Sequence, residues 1–297
     1  MIELVIDARR HDLGGFKVGR VLPYAPHPMV GPFVFLDHFG PAPMPAGFPR
    51  NVDVRPHPHI GLSTVSYLFE GQITHRDSVG SQVDIVPGEV NWMTAGAGIT
   101  HSERFETLRR HGGTLHGIQA WVALPDGQED VAPAFAHHEP ADLPTYQSGD
   151  GLWARLIAGE GFGARANVRT HSPMFYVHWR LQAGGRAQIP ADYPERAAFV
   201  AAGSIEIDGQ AFGRGQMVVF AAGQPVLVTA VDEAEVMLLG GEPVGPRIVE
   251  WNFVSSSRDR IEAAKADWRA GRMKLPDFDK NEFIPLPDPP PAANPMS

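Results

Sequence analysis

The chain has 297 residues, 43% of them hydrophobic, which is enough for two ordinary domains or one large one. Its formal net charge of −9 disfavours direct nucleic-acid binding, since an acidic surface repels phosphate backbones. It has no cysteine, no apolar leader and no apolar run long enough to span a bilayer, so we expect a cytoplasmic protein without disulfides, thiolate metal sites or a membrane span.

Short segments with alternating apolar residues dominate the chain and are bounded by Gly, Pro, Asp or Asn. This pattern, with 32 Gly and 28 Pro, is typical of antiparallel strands joined by tight turns, so the sequence predicts an all-β fold. The clearest segments are residues 62–69, 82–86, 117–124, 175–181, 204–207 and 216–220.

One helix is predicted late in the chain, over residues 257–270. Ser257 can cap its start, apolar residues inside it recur at helical spacing, and Gly271 can end it. The Pro-rich tail that follows, residues 276–297, is predicted to be extended or disordered.

Two parts of the chain repeat the same order of strands and glycine turns. The first copy contains Gly71, Gly88 and Gly96, and the second contains Gly203, Gly215 and Gly223. The last two glycines are 8 residues apart in both copies, while the first hairpin is five residues shorter in the second. The repeat predicts two similar β-barrels in one chain.

This repeat sets the predicted domain boundaries. Residues 1–136 would form an N-terminal metal-binding domain and residues 152–275 a C-terminal domain without metal. The polar stretch between them, residues 137–151, would be the linker.

Two short motifs predict a metal site in the first barrel. His57 and His59 are two positions apart, as are His101 and Glu103, and on a strand residues i and i+2 point to the same face. A lone His-x-His is weak evidence, but two such strands facing each other inside a barrel would supply four ligands. Imidazole and carboxylate suit Fe(II), our preferred metal, and also Mn, Ni, Cu and Zn. We therefore expect one divalent ion per chain.

The second barrel lacks such ligands. Counting from the repeat glycines places Ile189, Ala191, Val228 and Ala230 at the positions of the four ligands. All four are apolar, so no second metal site is expected.

Some polar and aromatic residues near these motifs allow two interpretations. His75, Arg76 and Asp77 could support the metal ligands from outside or shape a turn. Two pairs, Trp92 with Met93 and Gln119 with Trp121, could line a flat pocket or belong to the barrel core.

The motifs together resemble a known family. The segments HPHIGLSTVSYLFEG, THRDSVG, PGEVNWMTAGAGITHSE and GGEPVGPRIVEWNFVSSS are similar to the pirin family of the cupin superfamily, over residues 33–268. The resemblance implies two cupin-type barrels of the jelly-roll kind, with the metal held by His57, His59, His101 and Glu103.

Two classes of function follow from this resemblance. One is a metal-dependent dioxygenase that opens a flavonol such as quercetin with O₂, in which Glu103 could also take the substrate proton. The other is a non-catalytic or redox-sensing regulatory partner of a transcription factor or metabolic enzyme. A monomer with a small aromatic substrate, or with a protein partner, is expected. The sequence does not separate the two classes cleanly, and we favour the dioxygenase because a metal with open positions is reactive.

Overall fold

The computed structural model describes residues 2–12 and 16–288, which form short antiparallel strands with two helices. In the first half these elements are β1 (Ile2–Asp7), β2 (Arg9–Asp12), β3 (Lys17–Leu22), β4 (Phe33–Met44), β5 (Val54–His59), β6 (Leu62–Glu70), β7 (Ile73–Asp77), β8 (Gln82–Ile85), β9 (Val90–Thr94), β10 (Ile99–Arg104), α1 (Glu106–His111), β11 (Gly113–Ala123), β12 (Ala134–His138) and β13 (Thr145–Gln147). Short 3-10 helices occupy Arg50–Val52 and Pro140–Asp142.

The second half continues in the same way. Its elements are β14 (Leu152–Gly161), β15 (Ala164–Arg165), β16 (Met174–Leu181), β17 (Arg186–Ile189), β18 (Glu195–Ala202), β19 (Ser204–Ile207), β20 (Gln210–Gly213), β21 (Gln216–Phe220), β22 (Val226–Ala230), β23 (Ala234–Gly241), β24 (Ile248–Glu250), β25 (Phe253–Ser255) and α2 (Arg258–Arg269).

Each of the two barrels contains a large and a small antiparallel sheet. In the first barrel the strand order is β12-β9-β6-β11-β4-β3-β2 in the large sheet and β5-β10-β7-β8 in the small one. In the second barrel the large sheet has the order β1-β21-β18-β23-β16-β14-β13, with β15 paired to β14, and the small sheet has the order β17-β22-β19-β20. The predicted all-β fold of two barrels and a short C-terminal helix is confirmed.

The predicted glycine repeat is visible in the backbone. Gly71 follows β6 and Gly88 precedes its partner strand β9, just as Gly203 follows β18 and Gly215 precedes its partner β21. All four glycines have positive φ, between 69° and 92°, which a residue with a Cβ adopts only under strain.

The two barrels exchange chain segments. The N-terminal strand β1 pairs with β21 in the large sheet of the second barrel. Part of the predicted linker, β13, pairs with β14 in that same sheet. In the other direction, Ile60 of the first barrel bridges to Phe253 of β25. The domain boundaries stay a prediction, and each barrel pairs with residues from outside its own predicted domain.

Strand β4 explains why both faces of the large first sheet are apolar. Phe35 and Phe39 line a cavity inside the first barrel, while Leu36 between them belongs to the core shared with the second barrel. Alternate residues of a strand point to opposite faces, so one strand supplies the wall of a cavity and the contact between barrels.

The predicted C-terminal helix is confirmed, and the chain after it makes further contacts. The Ser257 hydroxyl accepts a bond from the amide of Arg260, as expected of an N-cap. Asp279 and Ile284 of the predicted tail contact the first barrel, and residues 289–297 are outside the described part. Within the residues that the structure describes, no helix is long and apolar enough to cross a membrane.

Candidate metal centre

Two neighbouring strands bring three histidines together. His101 of β10 is the direct antiparallel partner of His57 in β5, and His59 follows two positions later on the same face. The ring centroids are 4.4 Å apart for His57 and His101, and 5.0 Å apart for the other two pairs. One nitrogen from each ring lies within 4.8 Å of the other two, which is a spacing that allows a shared metal ion.

Hydrogen bonds to backbone carbonyls fix the orientation of two of these rings. The Nδ1 atom of His57 lies 2.9 Å from the Arg55 carbonyl oxygen, and that of His59 lies 3.0 Å from the Asn252 carbonyl oxygen. A carbonyl oxygen only accepts hydrogen bonds, so each Nδ1 carries the proton. The lone pair is therefore on Nε2 of both rings.

The third ring is oriented by a histidine and a carboxylate behind it. The Nδ1 atom of His101 lies 3.4 Å from Nδ1 of His75, and Nε2 of His75 lies 2.9 Å from Oδ2 of Asp77. The other Asp77 oxygen accepts the amides of Val79 and Ser81, which shapes a turn. Both interpretations of this motif therefore hold, because the same carboxylate closes a turn and orients a ring against His101.

The Nε2 atom of His101 completes the group. It is buried and has no hydrogen-bond partner among the described residues. An unpaired buried nitrogen is costly unless a ligand outside the protein satisfies it. The donor set therefore fits a divalent ion bound by three Nε2 atoms.

Burial keeps the three rings neutral. Desolvation lowers the pKa of His57 to about 4, partly offset by the Arg55 carbonyl. Desolvation lowers the pKa values of His59 and His101 well below their ordinary value, with a contribution from the charges of neighbouring rings. Neutral imidazole is the form that binds metals, so the site is ready for an ion at neutral pH.

Glu103 lies on the wall of the same cavity as His57 and His59. Its carboxylate is not among the ligand atoms that lie within 4.8 Å of one another, which come from the three histidines. Burial raises the pKa of Glu103 to about 7, and a hydrogen bond with the Ser66 hydroxyl opposes that rise. The structure thus brings three of the four predicted ligands into one group and places the fourth beside it.

A cavity of about 780 Å³ opens next to these ligands. Its walls combine aromatic and aliphatic side chains with a few charged groups, and the aromatic residues are Phe16, Phe35, Phe39, Phe105, Trp121 and Trp251. Phe35 stacks on Trp121 with ring centroids 4.0 Å apart, and Trp121 meets His59 edge-on at 5.0 Å. A volume and lining of this kind suit a small aromatic molecule.

Comparison with known proteins agrees with this architecture. Residues 15–122 match the family described as Pirin, and residues 176–274 match the Pirin C-terminal cupin domain. The chain belongs to the pirin family. A pirin-like protein of Caulobacter vibrioides is 67% identical over 289 residues, covering 97% of this chain and 100% of that protein.

Solved structures extend the comparison. A quercetin 2,3-dioxygenase from Acinetobacter baumannii superposes with a TM-score of 0.87 at 32% identity, covering 96% of this chain and 94% of that one. A bacterial pirin from Escherichia coli, in complex with nickel(II), superposes with a TM-score of 0.64 at 19% identity, covering 82% and 100%. The first supports the fold and the family, and the second supports the pirin fold alone.

The candidate pocket residues of this pirin divide into two groups. Gln119 and Trp121 line the cavity, as one interpretation of the sequence proposed. Trp92 and Met93 belong to buried apolar clusters, so the core interpretation holds for them.

Residues from the end of the chain also line the cavity and were not anticipated. Val249, Trp251, Asn252, Glu282 and Ile284 contribute to its walls. The EWNFVSSS segment was recognisable as part of the pirin resemblance, but nothing local indicates that the Asn252 carbonyl orients a histidine 193 residues away. No sequence signal pointed to Glu282 and Ile284.

Strand register corrects the counting of positions in the second barrel. Val228 pairs with Ala187 in β22 and β17, as His101 pairs with His57 in β10 and β5. The equivalents of the two N-terminal histidines are therefore Ala187 and Ile189, not Ile189 and Ala191. The connection after β17 is longer than the one after β5, which shifted the count from the glycine.

The corrected positions are still apolar. Ala187, Ile189, Val228 and Ala230 are all buried, and side chains of this kind cannot ligate a metal. Ala191 instead lies partly exposed in the connection after β17.

Proposed function

We propose that this pirin is a metal-dependent dioxygenase that opens a flavonol-type aromatic substrate with O₂. The observation that carries the proposal is the group of three inward-facing imidazole nitrogens beside a 780 Å³ cavity with aromatic walls. A purely structural metal would need no substrate-sized space next to its ligands.

We assign His57, His59, His101 and Glu103 as the ligands of one divalent ion, preferably Fe(II). Three neutral imidazoles and one carboxylate are a donor set that suits Fe(II), with Mn, Ni, Cu and Zn as alternatives. Such an ion, when bound, would polarise a substrate hydroxyl and bring O₂ next to it. Glu103 lines the cavity, so a side-chain rotation could carry its carboxylate toward the histidine group.

The other role proposed for Glu103 is that of a general base. Glu103 lines the cavity, and burial raises the pKa of its carboxyl to about 7, so it can accept a proton from a phenolic or enolic hydroxyl at neutral pH. The Ser66 hydroxyl donates to the Gln119 side-chain oxygen at 2.7 Å, and it also opposes the rise in the Glu103 pKa.

The walls of the cavity support a flat aromatic substrate. The Trp121 ring contacts both His59 and Phe35. The Arg20 guanidinium lies 4.4 Å from the Phe35 ring centroid. Arg20 is paired to Asp37 through two bonds of 2.7 Å, so it is a rigid end of this wall. Three arginines and four acidic residues line the cavity in all, so its walls carry nearly balanced charge.

The proposal is tested by oxygen consumption. Metal-free protein is loaded anaerobically with one equivalent of Fe(II) and mixed with quercetin and O₂, and O₂ uptake is followed together with loss of quercetin absorbance. We expect uptake that requires both the metal and the flavonol.

Two controls make the result specific. Quercetin methylated at the 3-hydroxyl lacks the proton that Glu103 would accept and should not be consumed. The His101→Ala variant should neither retain the metal nor consume O₂. Full metal occupancy without flavonol-dependent uptake would contradict the dioxygenase proposal and favour a regulatory role for the metal.

A further inference from the structure

The chain beyond α2 crosses the first barrel as an ordered strap, which we define as residues 276–286. Its main anchor is Arg104, whose side chain is 1% exposed. Two Arg104 nitrogens bind the two Asp279 oxygens at 2.6 and 2.8 Å, and one of them also binds Glu282 at 2.9 Å. A buried guanidinium with two carboxylate partners is a strong, directional attachment.

Backbone and ring contacts attach the far end of the strap. The Ile284 amide donates to the Pro56 carbonyl at 2.8 Å, and the Trp268 indole donates to the Ile284 carbonyl at 3.1 Å. The Phe283 ring meets Trp268 edge-on at 5.5 Å. Both polar groups of Ile284 are therefore held, which fixes the direction of its side chain.

The strap anchors lie directly beside the candidate ligands. Arg104 follows Glu103 in β10, and Pro56 precedes His57 in β5. The same attachments place Glu282 and Ile284 on the wall of the cavity. The strap is therefore a wall of the site that holds the metal ligands, built from residues about 180 positions later in the chain.

We propose that Ile284 and Glu282 are specificity-determining residues, which limit the size of the aromatic ligand that the cavity accepts. The half-buried Ile284 supplies an apolar surface at the strap side of the cavity, and Glu282 is fixed next to it by Arg104. Ligand selection by these residues rests on the proposed function, whereas their position on the wall of the cavity does not.

The first experiment changes the size of the wall. Ile284→Trp adds a two-ring side chain at the cavity, and Zn(II)-loaded protein is used so that binding is measured without turnover. We expect quercetin to bind roughly tenfold more weakly than to the wild type, while the single-ring catechol changes less than about twofold. Equal effects on the two ligands, or none on quercetin, would overturn the proposal.

The control places the same bulk elsewhere on the strap. Lys280 is exposed and does not line the cavity, so Lys280→Trp should leave both affinities unchanged. A loss of quercetin binding equal to that of Ile284→Trp would mean that disturbance of the strap, not the cavity wall, causes the effect, and would also overturn the proposal.

A second experiment does not depend on flavonol binding. The rate at which 2,2′-bipyridine removes the bound metal is measured, because the cavity lined by His57 and His59 offers this flat chelator an approach to the histidine group. Ile284→Trp should slow removal roughly tenfold relative to Lys280→Trp. One outcome is that quercetin fails to bind even the wild type while Ile284→Trp still slows metal removal. In that case the flavonol proposal fails, but the proposal that Ile284 limits access to the cavity stands. Identical removal rates in the two variants would contradict the proposal that Ile284 limits access to the cavity.

The attachment of the strap is tested with a matched pair of substitutions. Asp279→Asn removes the charge that faces Arg104, whereas Asp277→Asn removes a comparable charge from the exposed pair with Lys274. We expect hydrogen exchange across residues 276–286, and metal removal by bipyridine, to accelerate in the first variant alone. Acceleration in both variants, or in neither, would contradict the assigned role of Arg104.

Discussion

His75 lies behind His101, with their Nδ1 atoms 3.4 Å apart, although neither the spacing nor the family motif makes His75 a ligand. Because the Nε2 atom of His75 is held by Asp77 at 2.9 Å, its Nδ1 atom is left to accept the His101 proton. A carboxylate and a ring outside the three-histidine group thus decide which nitrogen of His101 is free to bind a metal.

Replacing His75 tests this arrangement. His75→Phe keeps a ring that can stack on Phe135, whose centroid lies 4.4 Å from that of His75, but removes the acceptor for His101. We expect metal affinity to fall by about 10–100-fold, measured by competition with a chelator. The melting temperature of the metal-free protein should also fall, because the buried Asp77 carboxylate loses a partner. Unchanged affinity would show that His101 needs no support from His75.

Metal content tests the prediction of one metal site per chain at the three-histidine group. Elemental analysis of the reconstituted wild type should give about one ion per chain, and His101→Ala should reduce this to near zero because the three-nitrogen group is lost. His111→Ala changes an exposed histidine of α1 and serves as the control. A variant of His101 that still holds one tight ion would place the site elsewhere.

The pKa of Glu103 makes the stability of the metal-free protein depend on pH. Burial raises this pKa to about 7 from an ordinary value of 4.5, so between these values the folded chain holds a proton that the unfolded chain has lost. The protonated carboxyl thus contributes stability that is complete below pH 4.5 and is lost as the pH rises through 7.

Glu103→Gln should remove this loss of stability at high pH, because an amide does not release a proton. In the presence of EDTA the variant should be more stable than the wild type at pH 8 by about 1–3 kcal/mol, and the difference should vanish near pH 4. Urea unfolding at both pH values measures it. Histidines titrate in both proteins, so the difference isolates Glu103. A variant that is less stable at pH 8 would show that the buried carboxylate is stabilised in its charged form.

Local patterns were sufficient for the fold class and for three of the residues in the metal group. Period-2 alternation defines strands, and His57 and His59 share a face because side chains alternate along β5. The helix after Ser257 was predictable because its cap and its apolar spacing are local.

Contacts between distant segments were not predictable in this way. The Asp279 and Glu282 carboxylates pair with Arg104 across about 175 residues, and no alternation or motif in the Pro-rich tail indicates it. The count of ligand-equivalent positions in the second barrel was displaced for a related reason. Counting back from Gly203 assumes connections of equal length, but the connection after β17 is longer than the one after β5. Strand pairing, not distance along the chain, determines which positions are equivalent.

The corrected register leads to the last prediction, which concerns the interior of the second barrel. Val228 occupies the position equivalent to His101 and is fully buried, whereas its neighbour Leu227 on the same strand is 53% exposed. Val228→Gln would bury an amide without partners, and we expect it to lower the free energy of unfolding by about 1–3 kcal/mol. Leu227→Gln points to solvent and should change it by less than about 0.5 kcal/mol.

Urea unfolding measures both variants, and elemental analysis follows their metal content. Both should keep about one ion per chain, because the ligand group lies entirely on β5 and β10 of the first barrel. A Val228→Gln protein with normal stability but without metal would require the two barrels to share one site. Equal destabilisation by the two substitutions would instead show that Val228 does not face a close-packed interior.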